Sequence, residues 1–389
     1  MDGCEYIDSL REKSGEERQT FDSFTRYLGR KAREQGVPVF GDFELTPLCN
    51  LNCRMCYVHL TPAQMKEQKL LSVDQWKDLM YQAFRAGMVH ATLTGGECLT
   101  YPGFKELFLY LHSLGCEVSV FTNGVLLDQE WIDFFKEHTP AEIQITLYGD
   151  SEDTYERVTG VRAFSQVVEH IRMLQDAELP VRICVTPNRY LGEDVFETVR
   201  VAHALSPGVS INTNLFTPKE ETGRSGQKDD PDAETYIRIH RYLASLNGRK
   251  LQEVNVRELP ETGRRTEESD RQTTAGTERG LLCGGGRSCF TISWKGTMHP
   301  CSMMDMIEGI PLRDGFTEAW KEVHQAADSW PRPAVCSSCA YRSVCDSCAA
   351  YRLQFAMPEE VPHELCRLTK QYVSAGVLVL PEQEARKGV

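Results

Sequence analysis

The chain has 389 residues and a formal net charge of −13, and its 41% hydrophobic and 25% charged residues are typical of a folded globular protein. The acidic balance argues against a nucleic-acid partner, whose phosphates attract basic surfaces. No apolar run approaches the ~20 residues that cross a bilayer, and the polar start MDGCEYIDSLREKSGEE is unlike a secretory signal. We therefore expect a cytoplasmic protein of about two or three domains that binds neither nucleic acid nor membrane.

Residues before 41 predict one amphipathic helix, because Phe21, Phe24 and Leu28 recur at helical spacing. From residue 41 onward, short β-prone segments alternate with segments of helical periodicity, which predicts parallel strands joined by crossover helices. The predicted strands cover 41–46, 89–94, 117–121, 142–147, 181–186 and 208–214, and the predicted helices lie near 72–86, 103–114, 128–137, 164–176 and 192–205. Six such units fit an α/β fold, a partial TIM-like (β/α)6 barrel, in which functional residues lie on the loops after the strands.

The composition changes after residue 217. The segment TPKEETGRSGQKDDPDAE is polar and rich in turn formers, which predicts a linker or surface loop. DAETYIRIHRYLASLN has the periodicity of a helix, and RELPETGRRTEESDRQTTAGTERG is again polar. A cysteine-rich region then begins near residue 281.

Cysteine is the unusual component, with 15 residues. Disulfides are rare in a reducing cytosol and an odd number cannot all pair, so metal ligation is the first interpretation. Three cysteines lie near residue 50, eight lie beyond residue 280, and Cys4, Cys98, Cys116 and Cys184 are scattered.

The first group, Cys49, Cys53 and Cys56 in TPLCNLNCRMCYVHL, has the spacing C-x3-C-x2-C and follows the first predicted strand. Three thiolates on one loop hold three corners of a four-iron cluster and leave the fourth iron open for a ligand. The alternative is a structural zinc site with His59 as the fourth ligand. Spacing and position favour the open cluster.

This loop in a (β/α)6 pattern resembles the radical S-adenosylmethionine (SAM) superfamily. LTGGE, with Gly95, Gly96 and Glu97, resembles the GGE motif of that family, in which the glycines let the backbone approach the SAM amino group. FTNG at 121–124 and ITLYG at 145–149 occupy the places of its later strand-end motifs. Two departures are Met55, where the family usually has an aromatic residue, and Cys98, where it often has proline.

The resemblance implies a set of SAM contacts. Asn123 and Thr146 are candidates for the SAM ribose or carboxylate, Arg157 for the carboxylate, and Met55 for the adenine. It further implies that SAM chelates the open iron, that one electron cleaves it to methionine and a 5′-deoxyadenosyl radical, and that this radical takes a hydrogen atom from the substrate. The open cluster implies oxygen sensitivity.

The second group runs C283-x5-C289-x11-C301, then C336-x2-C339-x5-C345-x2-C348, then C366. Eight thiolates suffice for two fully ligated [4Fe-4S] clusters, whereas the C-x2-C-x5-C-x2-C part alone also suits a zinc ribbon. The whole run, with Gly296 in WKGTMHPC, resembles the SPASM extension of the radical SAM superfamily. The resemblance implies an inner auxiliary cluster on Cys283, Cys289, Cys301 and Cys348, and an outer one on Cys336, Cys339, Cys345 and Cys366.

These features predict five segments. They are an N-terminal helical segment at 1–40, the radical SAM core at 41–216, a polar bridge with one helix at 217–280, the SPASM domain at 281–372 and a tail at 373–389.

The resemblance implies a peptide substrate, so we expect a maturase that installs a crosslink, a thioether or a related oxidation in a ribosomally made peptide. Ser302 follows Cys301 where sulfatase-maturing relatives have Asp, which counts against formylglycine formation. Candidates for proton or hydrogen transfer are Asp305, His299, Tyr148 and Cys184. Expected partners are a low-potential donor such as flavodoxin or ferredoxin and, since only about 40 residues precede the first strand, a separate leader-binding protein.

Two other hypotheses stay open. One is a radical SAM dehydrogenase or epimerase that acts on a small molecule. The other is a non-catalytic iron–sulfur protein that transfers electrons, which the open three-cysteine loop with GGE disfavours.

Overall fold

The computed structural model of the protein describes residues 27–66, 68–206, 208–212, 232–255, 279–345, 348–353 and 356–380. Of the predicted N-terminal helix, residues 27–35 form helix α1, which includes Leu28, whereas Phe21 and Phe24 lie outside the described residues. Most of both polar segments of the predicted bridge, and the end of the tail, also lie outside them. Within the described residues, no helix combines the length and apolar character needed to cross a membrane.

The six predicted strands are present and pair in parallel in chain order. They are β1 (Phe40–Glu44), β2 (His90–Thr94), β3 (Glu117–Thr122), β4 (Glu142–Leu147), β5 (Val181–Val185) and β6 (Ser210–Ile211). Because the strands are parallel, their carboxyl ends meet at one edge of the sheet, which is where a barrel of this kind builds its site.

Helices cross over between the strands as predicted. They are α2 (Val73–Arg85), α3 (Phe104–Ser113), α4 (Gln129–Glu137), α5 (Glu152–Thr159), α6 (Phe164–Asp176) and α7 (Asp194–Leu205). The sequence analysis did not predict α5, which has only eight residues. Its ends are nevertheless encoded, because Ser151 and Thr154 form a capping box and Gly160 ends the helix with a positive φ of 75°.

Alternation along the strands separates the packed face of the sheet from the barrel interior. In β4, Ile143, Ile145 and Leu147 are fully buried in the hydrophobic core, whereas the residues between them, Gln144 and Thr146, are half-buried. Successive side chains of a strand point to opposite faces, so the apolar set packs under the helices and the polar set faces the interior. Each fully buried aliphatic side chain contributes roughly 1.5–3 kcal/mol to folding.

The cysteine-rich region continues the sheet of the barrel. Strand β7 (Cys289–Ile292) pairs in parallel with β1, and β8 (Met298–His299) pairs antiparallel to β7. The result is an eight-stranded sheet in the order β6-β5-β4-β3-β2-β1-β7-β8. The predicted boundary near residue 281 therefore does not end the sheet.

The remaining helices lie in the bridge and the cysteine-rich region. They are α8 (Ala233–Leu246), α9 (Pro311–Asp314), α10 (Phe316–Ser329), α11 (Ala349–Arg352) and α12 (His363–Ser374). Phe290 of β7 joins this region to the barrel, because its ring centroid lies 6.0 Å from that of Phe43 and 5.0 Å from that of Phe316.

Replacing Phe290 with Ala should destabilise the protein by about 3–5 kcal/mol, because it removes a fully buried ring from the contact between β1, β7 and α10. The midpoint of anaerobic thermal unfolding, followed by circular dichroism, measures the effect. Leu109→Ala, at a side chain that is 38% exposed on α3, is the control and should change stability by less than about 0.5 kcal/mol. Equal midpoints for the two variants would contradict this account.

Candidate active site at the carboxyl ends of the strands

A cavity of about 210 Å³ opens at the carboxyl ends of the parallel strands. Nine of the predicted site residues line it, namely Cys49, Cys53, Met55, Cys56, Gly95, Gly96, Asn123, Thr146 and Tyr148. They come from the loops after β1 and β2 and from the ends of β3 and β4, so the fold brings together residues that are far apart in the sequence.

The loop that carries the three thiols is anchored to the end of helix α5. Asn52 N donates to the carbonyl of Thr159 at 2.8 Å, and Arg54 N donates to that of Val158 at 3.0 Å. Helix α5, which the sequence analysis missed, therefore offers its last carbonyls as an anchor for the cysteine loop.

The thiol sulfurs accept hydrogen bonds from nearby amides. Leu51 N lies 3.4 Å from Cys49 Sγ, and His59 N lies 3.2 Å from Cys56 Sγ. Burial, with the nearby charges of Glu97 and Cys56, raises the pKa of Cys49 to about 12. A buried thiolate in this environment needs a nearby positive charge, which a metal supplies. Hydrogen bonds from amides to sulfur are also a feature of iron–sulfur sites, so the loop fits an iron–sulfur cluster.

Among the described residues, no three His, Cys, Asp or Glu side chains are grouped so as to hold one metal ion. The three thiols instead lie around the wall of one cavity.

Gly95 and Gly96 bring the end of β2 into direct contact with the cysteine loop. Gly95 has a φ of +133°, and a Cβ built on it would lie 2.4 Å from the carbonyl oxygen of Thr46. A Cβ on Gly96 would lie 2.4 Å from the carbonyl oxygen of Leu48. Two backbone hydrogen bonds close this contact, from Gly96 N to Thr46 O at 2.7 Å and from Glu97 N to Leu48 O at 2.8 Å. The glycine pair is thus required by packing of the protein itself, and its contact with SAM stays a prediction.

Glu97 is buried behind the cavity and does not line it. Its Oε1 accepts hydrogen bonds from Thr122 Oγ1 at 2.8 Å and Leu99 N at 3.1 Å, and its Oε2 accepts one from Asn123 N at 2.8 Å. Burial raises the pKa of this carboxyl group, while these donors oppose the rise. The structure therefore assigns Glu97 to holding the end of β3 against the end of β2.

The hydrogen bond from Asn123 N to Glu97 fixes the position of Asn123. Its Nδ2 donates to Asn50 Oδ1 at 2.8 Å and lies 3.6 Å from Cys49 Sγ, while its Oδ1 accepts from Val125 N at 3.0 Å. Asn123 therefore links the third strand to the first thiol and orients the loop that carries it.

Several polar residues of the cavity wall were not predicted from the sequence, among them Gln144, Thr186 and Asn212. Gln144 lies on the interior face of β4, and Thr186 and Asn212 directly follow β5 and β6. Position in the strands could have indicated them, since Thr186 and Asn212 lie at or near the carboxyl end of a predicted strand and Gln144 shares a face of β4 with Thr146. Tyr148 lies beside them, and burial together with the nearby thiols of Cys53, Cys56 and Cys49 raises the pKa of its phenol well above the usual value.

Besides Glu97, four predicted residues do not line this cavity. The Arg157 guanidinium forms an ion pair with Asp194 and donates to the carbonyl of Tyr190 at 2.7 Å. Cys184 is buried in β5 beside Thr146, and Asp305 is exposed. His299, the fourth proton-transfer candidate, is buried and hydrogen-bonded to Thr297 Oγ1 and Ile307 O.

The eight later thiols fall into two neighbourhoods. Burial raises the pKa of Cys301 to about 12, and the thiols of Cys283 and Cys348 add to the rise. Burial raises the pKa of Cys366 to about 11, and those of Cys345, Cys336 and Cys339 add to it. Cys289 is likewise influenced by Cys283. These neighbours are consistent with the predicted inner and outer sets, and their ligation of two clusters stays a prediction.

Tyr57 connects the two cysteine regions. It lines the cavity next to Cys56, and its half-buried side chain approaches the side chain of Ser302, the residue after Cys301. The cavity thus borders the inner thiol set.

The profile of the radical SAM superfamily matches residues 43–202, which include the end of β1, the three-cysteine loop and β2–β5. Residues 43–202 form a radical SAM domain. The resemblance stated from the motifs is confirmed, and the two later thiol sets are consistent with its SPASM subgroup. Such a domain implies a [4Fe-4S] cluster and SAM.

Comparisons with known proteins give matches that cover most of the chain. The chain is 26% identical over 345 residues to the AdoMet-dependent heme synthase of Methanosarcina barkeri, covering 85% of this chain and 97% of that protein. It is 24% identical over 354 residues to the mycofactocin maturase MftC of Mycobacterium tuberculosis, covering 88% of this chain and 86% of MftC. Its fold matches that of Streptococcus suis SuiB bound to the precursor peptide SuiA, with a TM-score of 0.64, 16% identity, and coverage of 85% and 76% of the two chains.

Replacing Gly96 with Ala in this radical SAM protein should displace the cysteine loop, because the new methyl group meets the Leu48 carbonyl at 2.4 Å. Overpacking of this kind costs about 1–3 kcal/mol and should lower the iron held by the first thiol group. Iron per chain after anaerobic reconstitution measures it. Gly208→Ala, where a Cβ meets nothing within 4 Å, is the control, and equal iron in both variants would show that the contact is not required.

Proposed function

We propose that this radical SAM enzyme modifies a ribosomally made peptide and installs a crosslink, a thioether or a related oxidation. The observation that carries the proposal is the cavity that the three thiols share with polar strand-end residues and that borders the inner thiol set through Tyr57 and Ser302. MftC is named as a maturase, and the SuiB structure contains a precursor peptide. Both names support a peptide substrate.

Cys49, Cys53 and Cys56 would hold the SAM-binding cluster. When bound, cluster and SAM supply one-electron cleavage of SAM and abstraction of a hydrogen atom from the substrate. Asn123 keeps Cys49 in place, Glu97 keeps Asn123 in place, and the buried side chains of Leu51 and Val58 exclude water from the cavity. The Tyr148 phenol stays protonated because burial raises its pKa, so it is available as a donor to a bound molecule.

The proposal includes two auxiliary [4Fe-4S] clusters in the segment 281–372, each with four thiolate ligands and no open iron. Such clusters accept or relay electrons, which suits an oxidative outcome. It also includes a flavodoxin or ferredoxin as electron donor and a separate protein that binds the leader of the peptide.

A second candidate is a small-molecule substrate, as the name of the heme synthase from Methanosarcina barkeri suggests, since this chain covers 97% of that protein. The substrate test therefore has two arms. The enzyme is co-expressed with each short peptide found encoded beside its gene, and separately incubated anaerobically with SAM, dithionite and iron porphyrins. A mass change in the peptide that requires SAM supports the first proposal, and a change in the porphyrin alone would replace it with the second.

Changing Cys49, Cys53 and Cys56 together to Ala should abolish SAM cleavage and leave the auxiliary iron in place. The expected iron content falls from about twelve to about eight per chain, since each four-iron cluster contributes about four. Anaerobic incubation with SAM and dithionite, followed by assay of methionine and 5′-deoxyadenosine, measures cleavage.

Cys116→Ala is the matched control, because this buried thiol contacts the Met88 carbonyl and not the cavity. Cleavage that persists in the triple variant would show that the site assignment is wrong. About four irons in the unmodified chain would reject the three-cluster proposal.

A further inference from the structure

A row of polar side chains crosses the sheet below the candidate active site. Asp42 of β1 pairs with Thr92 of β2 and with Thr291 of β7, and Thr92 pairs with Ser119 of β3. Paired residues of neighbouring parallel strands point to the same face of the sheet. One carboxyl group and three hydroxyl groups therefore lie side by side on four strands.

This row faces the interior of the barrel. Phe43, the neighbour of Asp42 in β1, points to the opposite face, where its ring contacts those of Trp76 and Phe290 in the hydrophobic core. Thr94, two residues after Thr92 on the same face of β2, lines the cavity of the candidate active site. Two residues of a strand span about 6.7 Å, so the row lies one layer of side chains below the cavity.

The hydroxyl of Thr291 has no partner in the fold. Thr291 is 1% exposed, and within the part of the chain that the structure describes no group forms a hydrogen bond with its Oγ1. A buried hydroxyl in this state costs about 1–3 kcal/mol of stability. Since the register directs this hydroxyl to the same space as the Asp42 carboxyl group, the two are placed for a bound molecule and not for the stability of the fold.

Asp42 itself is half-buried and lacks a cationic partner. Burial raises the pKa of its carboxyl group, and Thr92 and His90 act against that rise. Among the described residues, no lysine or arginine forms an ion pair with it. A carboxylate in such a position gains most from a bound group that carries positive charge and N–H donors.

The interior face of the barrel is acidic as a whole. The only arginine on this face of the described strands, Arg182, is already paired with Glu142 at 2.8 Å. The excess of negative charge attracts a cation and repels carboxylates, including those that natural porphyrins carry. The carboxyl groups on this face come from Asp42, Glu44, Glu117 and Glu142.

We propose that Asp42, Thr92 and Thr291 form a subsite that binds the cationic end of a lysine or arginine side chain of the substrate peptide. An ammonium or guanidinium group can donate to the carboxylate and to both hydroxyls at once. The long flexible stem of such a side chain lets the peptide backbone stay in the cavity above. The subsite would fix which residue of the peptide lies beside the radical, and the inference rests on the proposed peptide substrate.

The test uses the reconstituted enzyme and the peptide that it modifies on co-expression, with each lysine and arginine of that peptide replaced in turn by methionine. One replacement should raise KM about tenfold with little change in kcat, because it removes a charge-assisted hydrogen bond that binds the substrate. Asp42→Asn should raise KM for the unchanged peptide by a similar factor. The two changes together should raise KM by less than about threefold beyond either alone, since they remove the same contact.

Thr291→Val separates substrate binding from folding. Because the Thr291 hydroxyl has no partner in the described chain, its removal should leave the midpoint of thermal unfolding unchanged or raise it, and yet raise KM for the peptide. Thr198→Val is the matched control, because Thr198 is also fully buried but lies on α7 and donates to Asp194 O at 2.9 Å. It should lower the unfolding midpoint and leave KM unchanged. If Asp42→Asn does not fold, Thr291→Val takes its place in the comparison with the altered peptides.

Independent effects of the enzyme and peptide changes, or a modified peptide without lysine and arginine, would overturn the subsite while the proposed function stands. If no peptide is modified, the proposed function fails and N-acetyl-lysine methylamide tests the subsite alone. This probe should raise the unfolding midpoint of the unmodified enzyme but not that of Asp42→Asn, and its uncharged norleucine analogue should have no effect. The absence of these differences would overturn the subsite.

Discussion

The site depends on one contact between backbones, that of Gly95 and Gly96 with the carbonyls of Thr46 and Leu48. It sets how closely the end of β2 approaches the cysteine loop, and no side chain larger than hydrogen fits there. Glu97 follows in the chain and clamps β3, and Asn123 then reaches Cys49. This one close backbone contact therefore sets the relative positions of the carboxyl ends of β1, β2 and β3.

The same loop is supported from outside the barrel by elements of modest size. Helix α5 supplies two carbonyls, and Tyr57 joins the loop to the residue after Cys301. Protein groups therefore hold the thiols of the first group in place. Burial disfavours the Cys49 thiolate, and a bound cluster would supply the positive charge that stabilises it. Such preorganisation suits chemistry in which a reactive species must be kept from water.

The regular part of the fold could be predicted because apolar periodicity is strong in the six strands and in the crossover helices. Helix α5 was missed because its signal lies in the caps, Ser151 and Gly160, rather than in periodicity. Strand β7 was missed because its partner is β1, and pairing across about 250 residues leaves no local trace. In the site, motif spacing located the thiols and the glycine pair, whereas the ion pair of Arg157 with Asp194 depends on how α5 meets α7, which the sequence alone does not reveal.

The pairing of β7 with β1 has a consequence for how this enzyme could vary. Cys289 pairs with Phe40, and the chain leaves the carboxyl end of β1 only a few residues before Cys49. The register of the hydrogen bonds between β1 and β7 therefore sets the distance between the first thiol group and the inner set. A shift of one residue along the strands changes that distance by about 3.3 Å. Loops around the cavity are free to diverge for new substrates. An insertion in either strand would change the spacing of the two cysteine regions and turn Cys289 to the opposite face of the sheet. A functional chimera of this enzyme would have to exchange β1 and β7 as a pair.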